Sequence, residues 1–387
     1  MEKYFAAALM SAAQIGSKRA AQLIKYFGTA ENAWAAQETD LLDAGLQERA
    51  ANALVELRRR FPNMAEEIKI RCDAKKIKLC GIDDEEYPEL LKTIDDAPLL
   101  FYYKGELQPK AMRISIVGTR EVTRYGETVT LELAKDLAAS DITVVSGGAV
   151  GIDSFAHRGA LKGGRTIAVM GCGLEYIYPP ENRRLFDRIV ENGAVISEYP
   201  PKTQPNRGLF PRRNRLIAGL SLGVCVVEAG NTSGALDTAR HALNYGRELF
   251  AVPGSVRAEK SKGCNELIRN GATLVRSAAD IFKAFDLNVE PIERNAVEVP
   301  VPDEPLPSTP PSSARKKSAK DFALKGDDAA VFEVLDDMPS DLDNILIKLD
   351  GVLDREISPQ ELSMILLRLS FQGLAIEDDA GNYSRGR

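Results

Sequence analysis

The chain has 387 residues, 44% of them hydrophobic, with a formal net charge of −6 and five cysteines. That length allows two or three domains, one with a large core, and no run of about 18 apolar residues exists to form a transmembrane helix. Met1-Glu2-Lys3-Tyr4-Phe5 lacks the basic lead and long apolar stretch of a signal peptide. The scattered Cys72, Cys80, Cys172, Cys225 and Cys264 make no CxxC pair and read as reduced, buried thiols of a cytosolic protein.

The charge is unevenly spread. Residues 327–387 carry five Lys/Arg against fourteen Asp/Glu, whereas residues 110–286 carry twenty-four against eighteen. A basic middle and an acidic end bear on partners rather than on fold.

Residues 1–70 are rich in Ala, Leu and Arg with helical periodicity. Ile15-Gly16-Ser17-Lys18-Arg19-Ala20, followed by Leu23, Ile24 and Phe27, reads as helix, glycine turn, helix. That is the outline of a helix-hairpin-helix (SAM-like) domain, whose hairpin amides can bind a backbone phosphate; an ordinary helical bundle gives the same pattern. Residues 71–109 read as a lead-in segment to a sheet.

Residues 110–287 alternate strand and helix. Ile114–Val117, Ile142–Val145, Thr166–Met170, Ala194–Ser197, Val224–Glu228 and Leu249–Val252 are short strand-like runs, with amphipathic stretches between most of them. The expected fold is α/β, a Rossmann-like doubly wound parallel sheet. Ligands of such sheets sit at the carboxyl ends of the strands. Residues 288–325 are a Pro/Ser-rich linker. In residues 326–387, Asp327–Asp336, Leu342–Leu349 and Pro359–Gln372 read as helices. Leu374–Glu377 and Asn382–Ser384, joined around Asp378-Asp379-Ala380-Gly381, read as a wing, which makes this region an acidic winged-helix domain. Ser358 is its expected N-cap before Pro359.

Three glycine-containing loops fall at strand ends of the basic middle. In the first, the strand stops at Gly118; Thr119 offers a hydroxyl and Arg120 a fork of donors suited to phosphate. A plain turn with a surface arginine would look the same. The second, Ser146-Gly147-Gly148-Ala149-Val150-Gly151-Ile152-Asp153, follows a strand and opens a helix, so its amides can point at an anion beside the positive end of the helix dipole. It is neither a GxxxxGK[ST] loop nor a dinucleotide fingerprint. Asp153 there can act as a metal ligand or base, or can cap the loop. The third is Phe210-Pro211-Arg212-Arg213-Asn214-Arg215, preceded by Arg207. Its arginines can neutralise successive phosphates while Phe210 stacks a base; the alternative is a solvated basic turn with Phe210 in the core.

Catalytic constellations are thin. His157 and His241 have no metal-like spacing, and His157 reads as closing hydrogen bonds near the glycine loop. Glu228, followed by Ser233-Gly234, can hold a ribose or phosphate, or can pin the strand–helix turn with Ser233 as N-cap.

Taken together, Ser115–Arg120, Ser146–Asp153 with Ala156-His157, Thr166–Val169, Tyr178-Pro179 with Glu181-Asn182, Ser197-Glu198, Phe210–Arg215, Glu228, Ser233-Gly234 and Pro253-Gly254 resemble the DprA/Smf family of DNA-processing proteins. The likeness extends upstream to Tyr87-Pro88 and Lys104-Gly105, and so many ordered motifs are far more specific than any one. The resemblance implies a non-enzymatic homodimer that binds single-stranded DNA and loads RecA during natural transformation, with no required metal or nucleotide cofactor. By motif position it implies phosphate contacts from Arg120, Gly147, Gly148 and Arg207 and a base contact from Phe210, with Arg213, Asn214 and Arg215 completing the pocket.

The acidic end adds one expectation. Pro359–Gln372 carries a single arginine, Arg368, and the wing carries Glu377-Asp378-Asp379, unlike the basic recognition helix of a duplex reader. It is expected to bind protein or to regulate the groove. Two other functions remain open. The Rossmann-like region also resembles nucleotide phosphoribohydrolases, although their PGGxGTxxE loop is absent and Glu228-Ala229-Gly230-Asn231-Thr232-Ser233 stands instead. A protein scaffold with solvated basic loops is the third reading.

Overall fold

The structure, a computed structural model, describes residues 1–287 and, beyond them, residues 324, 326–335, 340–350, 352, 355, 357–372, 374–377 and 382–385. The chain divides into two compact units, residues 1–300 and 301–387. Almost all of the expected linker and the whole wing turn 378–381 lie outside the described residues.

The first unit is built on a nine-stranded sheet. Its strands are β1 (Lys78–Gly81), β2 (Leu100–Gly105), β3 (Arg113–Val117), β4 (Thr143–Ser146), β5 (Thr166–Val169), β6 (Gly193–Ser197), β7 (Gly223–Val226), β8 (Glu248–Ala251) and β9 (Thr273–Leu274). Their spatial order is β1-β2-β6-β5-β4-β3-β7-β8-β9. The run β5-β4-β3-β7-β8-β9 is the 3-2-1-4-5-6 order of the doubly wound dinucleotide fold, with its switch point between β3 and β7. The strands expected from the apolar runs all form, and β3 to β9 pair in parallel. Alternate residues of one strand feed opposite faces, as the pleat requires. Ile114 and Ile116 join Leu133, Leu137 and Ala156 of the helices Arg124–Ala139 and Ile152–Gly163. Val117 joins Leu216 and Ile217 of the helix Leu209–Gly219 and Ala239 of Gly234–Asn244.

The lead-in segment does more than reach the sheet. It supplies β2, which pairs antiparallel with β6, and β1, which pairs antiparallel with β2 at the sheet's edge. β2 is largely buried and β1 is buried at its two central residues, Leu79 and Cys80, so neither shows the period-2 alternation that marks a strand with one wet face. The N-terminal helices Glu2–Met10, Ser17–Phe27, Ala30–Ala35, Glu38–Asp43, Glu48–Arg60 and Met64–Ala74 do not keep a separate core. Leu9, Leu23, Trp34, Leu41 and Leu54 pack in one cluster with Leu100, Tyr102, Met170 and Phe186 of the sheet region. The glycine turn forms as expected, with Gly16 at the N-cap of the second helix, and Ser17 donates to Glu198 at 3.5 Å.

In the second unit, the helices Gly326–Val334, Leu342–Leu349 and Pro359–Phe371 pack through Phe332, Ile345, Leu362 and Leu366. The strands β10 (Ala375–Glu377) and β11 (Tyr383–Arg385) pair antiparallel, giving the element order of a winged helix. Ser358 caps its helix in a full capping box with Glu361. Arg368 of that helix is paired with Asp328.

Candidate nucleic-acid interface

The first two candidate loops leave the neighbouring strands β3 and β4, and the third candidate segment lies beyond β6, two places from β4 in the sheet. After β3 the chain turns at Gly118, where a Cβ would lie 2.6 Å from Ile152 and 2.9 Å from the Glu228 carbonyl. Thr119 donates its amide to that same carbonyl at 2.7 Å. Its carbonyl accepts the Ile152 amide at 3.1 Å, which ties the first loop to the second. Gly151 is the pivot of this contact. Its φ is +85°, and a Cβ there would sit 2.4 Å from the Thr119 oxygen.

The second loop divides its groups between interior and surface. Ser146, expected as a phosphate ligand, is fully buried and donates to the Ile116 carbonyl at 2.6 Å. Ala149, also expected to aim its amide outward, donates it to Asp153 at 3.3 Å; Asp153 therefore ties the loop down. Burial raises the Asp153 carboxyl above its ordinary range, against the opposing pull of Arg213 and of that amide. Among the described residues, the amides of Gly148, Val150 and Gly151 enter no hydrogen bond. These three precede the twelve-residue helix Ile152–Gly163, so they and the helix dipole together suit an anion.

The third segment is the start of the helix Leu209–Gly219. Its side chains point in several directions, because successive helical residues are about 100° apart. Arg207 and Arg212 are exposed, and Phe210 is half-buried. The Phe210 ring rests on Gly171, where a Cβ would meet it at 2.5 Å. The exposed Arg120 holds its guanidinium 5.9 Å from the ring centroid, a cation–π distance. Arg120, in the first loop, and Phe210, at the start of the helix Leu209–Gly219, thus meet.

Arg213, Asn214 and Arg215 turn away from that surface. Arg213 is 4% exposed and donates to the carbonyls of Gly147 and Val169. Its burial follows from position, since Leu216 and Ile217, three and four residues on, are core. Asn214 donates to Asp237 at 3.3 Å. Arg215 is paired with Glu198 and with Asp96 at 15% side-chain exposure. The guanidinium groups of Arg213 and Arg215 are thus engaged within the fold, and the half-buried Asn214 is tied to Asp237, so the structure does not bring these three together with Arg120 and Phe210 as the expected pocket would require.

Other residues complete the frame. Asn182, 2% exposed, donates to the Gly148 carbonyl at 2.9 Å and to Ser154 at 2.8 Å. Tyr178 lies with its ring centroid 5.5 Å from that of Phe210. Neither was singled out as a site residue, although both belong to the motifs that carry the family likeness. Glu228 pins the turn, accepting from the Thr123 amide at 2.9 Å and from its hydroxyl at 2.5 Å; Ser233 caps the next helix. His157 bonds Thr166 at 2.7 Å. Burial, with Arg213 adding to it, pushes its imidazole down to about 3.

The fold and these loops have known counterparts. A model of the family described as DNA recombination-mediator protein A matches residues 78–286. Protein Smf of Synechocystis sp. is 44% identical over 209 residues, 52% of this chain and 52% of the relative. The chain thus spans about half the length of that relative. DNA processing protein DprA of Bacillus subtilis is 44% identical over 210 residues, 54% of this chain and 71% of the relative. The X-ray structure of DNA processing protein A from Streptococcus pneumoniae matches with a TM-score of 0.65 and 34% identity, covering 73% of this chain and 98% of that one. The family model spans more than half of the chain, over the strands and loops that form the candidate interface, and the chain belongs to the DNA recombination-mediator protein A family.

Proposed function

We propose that this protein binds single-stranded DNA along the strand ends of its sheet and acts as a recombination mediator, without a catalytic step of its own. The observation that carries the reading is the meeting of exposed Arg120 with the half-buried Phe210 ring beside the uncommitted amides of Gly148, Val150 and Gly151. Arginines and amides attract a phosphate chain, and an aromatic face accepts any unpaired base. Gly118 and Thr119 shape the approach, and exposed Arg207 and Arg212 extend the positive surface.

The absence of a catalytic step is part of the proposal. His157 is buried and held neutral, and Glu228 is engaged with Thr123. Neither is poised for proton transfer to a bound substrate. Loading of RecA during natural transformation, homodimer formation and action in the cytoplasm belong to the same proposal, supported by family membership. Among the described residues, no helix is long and apolar enough to cross a membrane.

A gel-shift comparison of single- and double-stranded oligonucleotides over a salt series tests the reading. Single strands should bind more tightly, with affinity falling steeply as salt rises. Phe210→Ala should cost roughly 1–3 kcal/mol of binding. Preference for duplex, or binding indifferent to salt, would overturn it.

A further inference from the structure

Beneath the second loop lies a charge that a strand running over the surface would not touch. Arg213 donates to the Gly147 and Val169 carbonyls, bridging the ends of β4 and β5. In a trans peptide the carbonyl and the following amide point in opposite directions. With the Gly147 oxygen drawn onto the guanidinium, the Gly148 N–H points away from it. Asp153 fixes the next peptide by accepting the Ala149 amide at 3.3 Å. The space between the two side chains is full: a Cβ at Gly147 would lie 2.6 Å from both terminal guanidinium nitrogens and 2.6 Å from an Asp153 oxygen.

We infer that Arg213 is a positioning residue for the anion site: it sets the peptide orientation of the 147–151 loop from below and lends its charge to the site without contacting phosphate. A glycine pair is free to rotate its peptides, so amides that bind an anion need an anchor on the opposite side. The buried Arg213 supplies it, and the charge stays partly compensated by Asp153, which faces it in the same interior.

The inference rests on the single-strand reading above, and salt dependence separates the two. Replacing a phosphate-contacting arginine makes the slope of log K against log salt shallower by about 1, because one fewer counterion is released. Replacing a positioning arginine lowers affinity at every salt concentration and leaves the slope alone. With an oligothymidylate probe, Arg213→Met should bind at least tenfold more weakly with the wild-type slope, and Arg213→Lys should fall between the two. Arg120→Ala should show the shallower slope. Arg113→Met serves as the control for losing a buried arginine. Arg113 is fully buried and holds the carbonyls of Gln108, Pro109 and Ala111 at the opposite end of β3. Its loss should lower the melting temperature while the folded protein keeps its affinity.

If Arg213→Met does not fold, Gly147→Ala pushes on the same guanidinium from the loop side and should reproduce the loss of affinity at constant slope. Unchanged affinity in the folded variant, or a slope shallower by about 1, would overturn the inference alone. A wild-type protein without salt-dependent binding would overturn the functional reading and the inference with it.

Discussion

Arg120 and Arg213 stand beside the same glycine loop with the same charge, yet one is exposed and the other is 4% exposed. Counting arginines therefore overstates the charge available to a ligand, and direction decides the role. Part of that direction is legible: Leu216 and Ile217 place Arg213 on the buried face of its helix. The aim of Arg120 at Phe210 is not legible, because it depends on a loop and a helix start about ninety residues apart in the chain. His157 offers a test at the same scale. Its folded pKa of about 3 lies below the ordinary 6.5, so the folded state refuses a proton that the unfolded state accepts. Stability from this residue is whole above pH 6.5 and is lost as the pH falls toward 3. Between pH 7 and 5, urea unfolding should show wild type losing about 2 kcal/mol more than His157→Gln. The opposing shift of Asp153 is common to both proteins and cancels. Equal losses would mean that His157 takes up a proton without unfolding.

Loops and strands show a similar division. The six apolar runs of the middle region are all strands, because hydrophobic side chains feeding both faces of a parallel sheet leave an unmistakable run of Val and Ile. β1 and β2 have no such clear bounds, and the pairing of β1 with β2 and of β2 with β6 is long-range. The glycines of the second loop are visible in the chain, but their separate reasons are tertiary. Gly151 combines a positive φ with an approach of 2.4 Å to the Thr119 carbonyl. Gly151→Ala should therefore cost roughly 2 kcal/mol or more of stability and should separate the first two loops. Gly234 is the comparison: a Cβ there meets nothing within 4 Å. Gly234→Ala should leave stability unchanged or raise it by up to about 1 kcal/mol, since alanine is the better helix former. Urea titration of the two variants checks both, and an unaffected Gly151→Ala would mean that the contact gives way cheaply.

At the scale of the molecule, composition separates a helical start from an alternating middle, but packing joins them. Residues 1–77 and the sheet share one apolar cluster, in which Leu9 and Trp34 lie with Leu100, Tyr102 and Phe186. The family model begins at residue 78, on the far side of that shared core. A chain of residues 78–287 should therefore melt well below one of residues 1–287 and should self-associate on gel filtration, because it uncovers the apolar face of β2. Equal melting temperatures would show that the helices contribute little to the sheet's stability. The C-terminal unit has its own core around Phe332, Ile345 and Leu366. Arg368, in the helix Pro359–Phe371, is paired with Asp328.

By itself the sequence determined the six central strands β3 to β8, the order of their elements, the two glycine loops at the ends of β3 and β4, and the basic segment around Phe210. Each of these is written in local periodicity, in glycine placement and in the boundaries of apolar runs. Only the tertiary structure decided which polar groups of those loops face outward. Ser146, Ala149, Arg213 and Arg215 satisfy partners inside the fold, whereas Arg120 and Phe210 meet at the surface. The physical reason is that hydrogen-bond satisfaction of a buried group depends on partners distant in the chain, and residue type alone carries no record of them.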